Sequence, residues 1–348
     1  MTDPIPVFDG HNDVLLRLYK MQDADAKKLF LDGAPGGHID LPRAREGGFA
    51  GGLFAIFPPP TEKPGEVIAR EGNVNPPSLD RADALSSTIS MASILFRIER
   101  ESSGAFTVCR SAREVRDAIG KGSLAAVFHI EGAEAIDTDL SFLDVLYAAG
   151  LRSLGIVWSR TNAFGHGVPF HFPATPDIGP GLTDAGKALV RRCNELGILI
   201  DLSHLNEQGF RDVAAISRAP LVASHSNVHA ICEHSRNLTQ WQLSAIRDSG
   251  GLVGLNFATA FLRPDGRITA DTDLDIMVQH IDALLEALGE DGVGLGSDFD
   301  GAVIPSAIGD VSGLPRLLDR LDDRGYSREL IEKIAWRNWV DVLERTIG

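Results

Sequence analysis

Two residues of metal-ligand type follow the first apolar run of the chain, within the sequence FDGHNDVLLRL at residues 8–18. His11 and Asp13 are two positions apart, and side chains at that spacing on an extended chain point to the same side. An imidazole and a carboxylate placed in this way can bind one metal ion together. A polar turn after a strand is the other interpretation of this short stretch, and only the rest of the chain can decide between the two.

Similar residues stand at the ends of other apolar runs. Glu131 follows LAAVFHI, His204 follows ILIDLS, His225 ends PLVASH, and Asp298 ends VGLGSD, with Asp300 close behind. In a barrel of parallel strands, all the carboxyl ends open on one face, where the active site lies. Each residue alone is as well explained as a loop residue, but the joint pattern favours a metal site.

This set of ligands suits two metal ions, because a tetrahedral zinc ion takes about four. We expect His11 and Asp13 to bind one ion and His204 and His225 the other, with Glu131 as the bridge. Two such ions share a water molecule, lower its pKa and present a metal-bridging hydroxide to a carbonyl or phosphoryl group, which is hydrolase chemistry. Asp298 is then available as a general base and acid.

The elements that must position these residues are short apolar runs that alternate with helix-like segments. Near-continuous apolar runs of this length are typical of parallel strands buried on both faces. The segment TDAGKALVRRCNELG shows the alternating helices, since Thr183 can cap its start and Gly197 can end it. The eight runs are IPVFDG, GGLFAIF, LAAVFHI, RSLGIVW, ILIDLS, PLVASH, LVGLNF and VGLGSD.

Eight strand and helix units predict an α/β protein of the (β/α)₈ TIM barrel type, built as a single domain over residues 1–348. No linker interrupts the alternation. The expected departures are loop insertions near 58–123 and 159–182, which contain the Pro- and Gly-rich stretches 58–66 and 164–181. Long loops in a compact domain are usually functional.

Composition excludes several classes of function. A formal charge of −15 and the lack of a basic run argue against nucleic acid as a partner. No apolar segment approaches the ~20 residues that span a bilayer, and the start MTDPIPVFDG does not resemble a signal peptide. We therefore expect a cytoplasmic protein without a membrane partner. The three scattered cysteines do not suggest disulfides.

Five other histidines are not expected to belong to the site. His129 lies inside a predicted strand and is expected in the core. Four others fall on predicted loops or helices and are expected to be solvated: His38, His229, His234 and His280.

In order along the chain, six motifs resemble those of the renal or membrane dipeptidase family of zinc peptidases, whose barrel is of the amidohydrolase (metal-dependent hydrolase) type. They are DGHND, IEG, IDLSH, SHSN, HSRN and GSDFDG, and the resemblance runs from end to end of the chain. It implies two Zn²⁺ ions, Glu131 as their bridging ligand, Asp298 as the proton shuttle and Arg236 as an anchor for the substrate carboxylate. It also implies dipeptide substrates, including those with a C-terminal residue of D configuration, and a homodimer.

One departure from the family concerns the substrate contacts. Members often carry a histidine after the fourth strand that touches the scissile carbonyl, and Trp158 occupies the corresponding position. Asn162 or His166 in the following loop can take over this role, or the metal itself can polarise the carbonyl. The predicted substrate-binding residues are therefore Arg236, Trp158 and Asn162.

Two other functions stay open at this stage. A lactonase or phosphotriesterase of related fold usually has HxH after the first strand and a carboxylated lysine as the bridge, whereas this chain has HxD and Glu131. The other alternative is a metal-binding relative that has lost catalytic activity. The presence of Asp298 argues against it, whereas Trp158 in place of the usual histidine argues for it.

Overall fold

Eight parallel strands close a barrel in the computed structural model, which describes residues 5–21, 26–33, 35–60 and 74–348. The barrel order is β2-β1-β9-β8-β7-β6-β5-β4, and pairing between β2 and β4 closes it. The predicted (β/α)₈ barrel is therefore confirmed. The strands are β1 Val7–Asn12, β2 Phe49–Ile56, β3 Phe106–Cys109, β4 Leu124–Glu131, β5 Ser153–Gly155, β6 Leu199–Asp201, β7 Val222–Ala223, β8 Leu252–Asn256 and β9 Val293–Gly296.

Each predicted apolar run overlaps one barrel strand, and among the described strands only β3 was not predicted. This short strand pairs with residues 124–127 at the start of β4. The next barrel strand, β5, pairs with β4 only from His129 onward. The first half of β4 therefore keeps a free edge, and β3 satisfies its backbone groups there.

Helices alternate with the strands, and the helix predicted between Thr183 and Gly197 starts and ends at these residues. Thr183 accepts a hydrogen bond from the backbone of Gly186 at the start of this helix, and Gly197 ends it with φ +69°. The described helices are α1 Val14–Lys20, α2 Ala26–Asp32, α3 Leu41–Glu46, α4 Arg81–Glu101, α5 Ala112–Gly120, α6 Ser141–Ala149, α7 Asp184–Leu196, α8 Glu207–Ile216, α9 Gln240–Asp248, α10 Thr259–Leu262, α11 Leu274–Leu288, α12 Leu314–Asp323, α13 Arg328–Glu332 and α14 Asn338–Ile347. Single turns at Ala133–Ala135, Glu290–Gly292 and Val311–Gly313 are 3₁₀-helical, and Lys333–Arg337 is a π-helical turn.

The two expected insertions differ in structure. The first contains α4, β3 and α5, while part of its Pro-rich stretch, residues 61–66, lies outside the described residues. The second, residues 159–182, is irregular backbone that forms isolated bridges, including one between Gly167 and Leu205. Within the described parts of the chain, no helix is long and apolar enough to cross a membrane.

The barrel interior is apolar near the start of the strands. Phe8, Leu199, Val222 and Leu252 form a buried cluster there with Trp339 of α14. The Trp339 indole donates a hydrogen bond to the Leu295 carbonyl at 2.9 Å. Glycines on β1, β8 and β9 make room for the indole, since a Cβ added at any of them would lie 2.3–3.1 Å from its ring. This packing fills one end of the barrel and leaves the carboxyl ends of the strands for polar residues.

Candidate metal centre

The structure brings the predicted ligands together at the carboxyl ends of the strands. His11 lies near the end of β1, Asp13 follows that strand directly, and Glu131 is the last residue of β4. His204 and His225 lie within three residues of the ends of β6 and β7. All of them are buried. Parallel strands therefore place residues far apart in the sequence around one point.

Glu131 Oε1 is the common neighbour of three imidazoles. It lies 3.7 Å from His11 Nε2, 3.0 Å from His204 Nε2 and 3.4 Å from His225 Nε2. On one side, His11 Nε2 lies 3.5 Å from Asp13 Oδ2. On the other side, the Nε2 atoms of His204 and His225 are 3.1 Å apart. The donors thus form two pairs with one carboxylate oxygen between them.

These donors fit divalent metal ions. Glu131 Oε1 and Asp13 Oδ1 are buried and accept no hydrogen bond from the described residues. Burial raises the pKa of Glu131 to about 8, and the neighbouring charges of Asp13 and Asp298 add to the rise. A bound cation would stabilise this buried negative charge. Imidazole nitrogens and carboxylate oxygens are also the donor set that zinc accepts.

Negative charge in the cluster also acts on His11. Burial lowers the pKa of its ring, but the charges of Glu131 and Asp13 outweigh this effect and raise the pKa to about 10. For His204 and His225 the balance is opposite, because burial and the positive charges of Arg236 and His11 lower both pKa values well below the usual value. These two rings are therefore neutral, as metal ligands must be.

Hydrogen bonds at the far side of the rings orient two of the histidines. Asp201 Oδ2 accepts from Ser224 Oγ at 2.5 Å, and Ser224 Oγ lies 2.7 Å from His225 Nδ1. Because the serine proton goes to the carboxylate, the serine oxygen can only accept from Nδ1–H, which leaves a lone pair on Nε2 facing Glu131. His204 Nδ1 lies 2.7 Å from Ser159 Oγ, which positions the second ring.

Asp298 lies beside this cluster on the loop after β9. Its carboxylate is close enough to His11 and Asp13 that ligand atoms of the three lie within 4.8 Å of one another. Asn256 Nδ2 donates to Asp298 Oδ2 at 3.1 Å, and burial raises the pKa of Asp298. The backbone of Asp298 and of His204 is left-handed, with φ of +58° and +69°. Strained backbone of this kind gathers at functional sites.

Arg236 is buried, whereas its sequence position alone suggests a surface charge. Its Nη2 donates to the His225 carbonyl at 3.0 Å and its Nη1 to Ser226 Oγ at 3.3 Å, while Nε has no acceptor among the described residues. The guanidinium lies over the Phe261 ring, 5.5 Å from the centroid. Burial lowers its pKa to about 10, so it remains a cation at neutral pH.

A pocket opens beside Asp13, Glu131, His204 and Asp298, and Trp158 forms part of its wall, whereas Arg236 is not among the residues that line it. The indole packs 4.8 Å from the Phe57 ring and 5.9 Å from the His204 ring, measured between centroids. The pocket is lined by Asp13, Leu16, Lys20, Phe57, Glu131, Trp158, Phe170, His204, Phe261, Asp298, Asp300 and Gly301.

The structure does not bring Asn162 into this pocket. Its Nδ2 donates to the Ile156 carbonyl at 2.8 Å, and its Oδ1 accepts from two backbone amides of its own loop. His166 is likewise absent from the pocket lining, and its Nδ1 lies 3.1 Å from Thr161 Oγ1. The asparagine amide therefore holds the shape of the loop.

Two of the histidines expected to be solvated are buried instead. His280 contacts the Val228 amide through Nδ1 and the Leu262 carbonyl through Nε2, and His234 accepts from the backbone of Arg236. His38 and His229 are partly exposed. The burial of His280 could not be predicted from the sequence because its partners come from distant segments, whereas the partner of His234 lies two residues away and is brought to the ring by the local backbone.

Several polar residues of the site were also missed, namely Ser159, Asp201, Ser224 and Asn256. The sequence did indicate that Asp201 has a role, because a carboxylate inside an apolar strand is buried and needs hydrogen-bond partners there. His129 was expected in the core and is buried there, close to Asp201.

Comparisons with known proteins agree with this geometry. A sequence model of the membrane dipeptidase family, peptidase family M19, matches residues 1–347. A metallopeptidase from Rhodobacter sphaeroides, solved with a phosphinate mimic of the dipeptide L-Ala-D-Ala, is 51% identical, with a TM-score of 0.96 over 99% of this chain and 100% of that chain. The probable dipeptidase PvdM from Pseudomonas aeruginosa is 25% identical, with a TM-score of 0.84 over 99% and 96%. An uncharacterized protein in the pqqA 5′ region of Klebsiella pneumoniae is 50% identical over 251 residues, 72% of this chain and 93% of that protein.

Proposed function

Since the chain belongs to the membrane dipeptidase family, peptidase family M19, we propose that it hydrolyses dipeptides with the help of two divalent metal ions, zinc being the first choice. Residues 1–348 act as one catalytic domain. The observation that carries this proposal is the position of Glu131 Oε1, within 3.7 Å of three imidazole Nε2 atoms.

His11 and Asp13 would hold one ion, His204 and His225 would hold the other, and Glu131 would be the ligand shared by both. The support is that the five side chains are buried, that the other four lie in two pairs around one oxygen of Glu131, and that Glu131 Oε1 and Asp13 Oδ1 accept no hydrogen bond from the described residues. Nitrogen and oxygen ligands of this kind favour zinc among the common ions. When bound, the ions would lower the pKa of water and polarise the scissile carbonyl.

Asp298 is the general base and acid. It lies next to Asp13 and His11 at the pocket, so it can take a proton from the attacking water and return it to the leaving amine. Asn256 fixes one of its oxygens by a hydrogen bond. The other oxygen is then free to handle the proton.

Arg236 binds the C-terminal carboxylate of the substrate. Its unpaired, buried Nε–H is a donor without an acceptor in the described structure, and a carboxylate can accept from it and from an adjacent Nη–H. Because this anchor lies against His225, it sets a short distance between the C-terminus and the metal residues. A longer peptide would bury the guanidinium unpaired, which limits substrates to dipeptides.

The substrate range includes dipeptides of L-Xaa-D-Xaa type. The support is the 51% identical Rhodobacter sphaeroides metallopeptidase, which was solved with a mimic of L-Ala-D-Ala. Trp158 provides an apolar wall beside His204 where relatives often have a histidine. Bound ions would supply the polarisation of the carbonyl that a histidine at this position would otherwise assist.

The test is to remove metal with a chelator, restore Zn²⁺ stepwise and assay L-Ala-L-Ala, L-Ala-D-Ala and a simple lactone. We expect dipeptide hydrolysis to rise until two ions per chain are bound. Full activity at one ion would reject the binuclear centre. Hydrolysis of the lactone without hydrolysis of either dipeptide would reject the dipeptidase function, and failure on L-Ala-D-Ala alone would reject the D specificity.

A further inference from the structure

Two polar side chains lie in the barrel interior below the proposed metal ligands. On β4, Val127, His129 and Glu131 alternate with their neighbours and so share one face of the strand, with His129 one layer deeper than Glu131. Asp201 ends β6, and both His129 and Asp201 are at most 1% exposed. The proposed function assigns nothing to either of them.

Two of the residues grouped with Asp201 carry unpaired nitrogen atoms. His129 Nε2 and His11 Nδ1 are buried and take part in no hydrogen bond within the described ranges. Ligand atoms of His11, His129 and Asp201 lie within 4.8 Å of one another, and His129 Nε2 is 3.8 Å from Asp201 Oδ2. That distance is too long for a direct hydrogen bond. Buried polar groups are nearly always hydrogen-bonded, so a small polar ligand is needed between them.

The protons on these groups identify the ligand. His129 Nδ1 lies 2.9 Å from Ser153 Oγ, and when Nδ1 donates its proton to that oxygen, Nε2 is an acceptor. His11 Nε2 faces Asp13 and Glu131, where the metal would bind, so its Nδ1 carries the proton and is a donor. Asp201 Oδ2 is a second acceptor. Two acceptors and one donor match a single water molecule, which donates twice and accepts once.

We propose that His129, Asp201 and His11 bind one buried water molecule, and that His129 and Asp201 are positioning residues that hold the His11 ring through it. The inference rests on the proposed function in that His11 is a metal ligand there. A cation at this point would require His11 to lose the proton on Nδ1 while Nε2 also binds metal, so water is the better match.

The arrangement gives Asp201 two positioning tasks. Through Ser224 it orients His225, which belongs to one half of the proposed metal centre. Through the water it orients His11, which belongs to the other half. One buried carboxylate therefore sets the direction of a histidine in each half.

The test compares two substitutions of His129 that differ in hydrogen bonding. His129→Phe keeps a ring of similar size but removes the acceptor, whereas His129→Gln keeps an acceptor near the position of Nε2. Loss of a partner behind a metal ligand typically lowers metal affinity by about 10- to 100-fold. We expect His129→Phe to lower Zn²⁺ affinity by this factor, measured by competition with a chromophoric chelator, and His129→Gln to restore it to within a few-fold.

The matched control is His280→Phe, because His280 is equally buried but lies outside the centre. It is expected to keep the wild-type Zn²⁺ affinity, even if its free energy of unfolding falls. If His129→Phe fails to fold, the water is sought in a high-resolution structure of the zinc-loaded wild-type protein, where we expect it within hydrogen-bond distance of all three residues.

Three results would overturn the inference: unchanged Zn²⁺ affinity in folded His129→Phe, an equal loss in His280→Phe, or a direct hydrogen bond or a metal ion at the water position. Zinc-loaded wild-type protein that hydrolyses no dipeptide would reject the proposed function instead. With that outcome, the Zn²⁺ affinities and the position of the water molecule still test the inference. Failure of the inference and failure of the proposed function can therefore be told apart.

Discussion

Replacing Arg236 with methionine tests whether this residue binds the C-terminal carboxylate of the substrate and so limits the substrates to dipeptides. A guanidinium carries five N–H donors, and in this structure Nη2 donates to the His225 carbonyl and Nη1 to Ser226, while Nε donates to nothing in the described ranges. Nε–H and a remaining Nη–H can therefore bind both oxygens of a carboxylate side by side. Methionine keeps an unbranched apolar stem up to about the position of Nε and removes these donors.

The expected loss follows from the two bonds. A hydrogen bond to a charged group contributes ~1.5–3 kcal/mol, and part of the gain from two of them is spent on stripping water from the carboxylate. We expect kcat/KM for a free dipeptide to fall by at least ~100-fold, which corresponds to ~2.7 kcal/mol. Amidating the C-terminus of the dipeptide should cause a similar loss in the wild-type enzyme, because it removes the same charged pair.

The assay is a double-mutant cycle with wild-type and Arg236→Met enzyme on the free and amidated dipeptide. Because both changes break one interaction, the amide should cost little further activity in Arg236→Met. Zinc content is measured alongside, since Arg236 also holds the His225 carbonyl. Lys20→Met is the matched control, because Lys20 is an exposed cation that lines the pocket. The assignment is refuted if the losses caused by Arg236→Met and by amidation of the substrate add in full. It is also refuted if amidation has little effect on Lys20→Met and a full effect on Arg236→Met.

Three further substitutions test other parts of the structure. Glu131→Ala is expected to lose at least one metal ion per chain and nearly all activity, because Oε1 is the only carboxylate oxygen of the described site that neighbours all three imidazoles; unchanged metal in elemental analysis would contradict the bridge. Asp298→Asn is expected to keep both ions and the contact with Asn256 but to lower kcat by ~10²–10⁴-fold, because an amide cannot accept the proton; a near-wild-type kcat would reject the proton transfer. Trp339→Ala is expected to lower the free energy of unfolding by ~3–5 kcal/mol in chemical denaturation, because it empties the apolar end of the barrel; a change in KM without a loss of stability would contradict this purely structural role.

The sequence by itself determined the architecture of this protein and the main ligands of the site. Near-continuous apolar runs predicted the eight barrel strands, because strands buried on both faces have no polar side. The caps at Thr183 and Gly197 were also readable, since they depend on local backbone geometry. Once the strands are parallel, residues at their carboxyl ends must meet, so His11, Glu131 and His204 could be grouped without coordinates.

Only the tertiary structure decided what depends on contacts between distant segments. The strand Phe106–Cys109 forms because β5 leaves the first half of β4 unpaired, which no property of its own four residues reveals. Arg236 and His280 are buried although nothing in their local sequence distinguishes them from surface residues. The same holds for the hydrogen bonds that join Asp201 to His225 through Ser224. Burial and hydrogen-bond partners are set by which segments pack together, and that information lies in the fold as a whole.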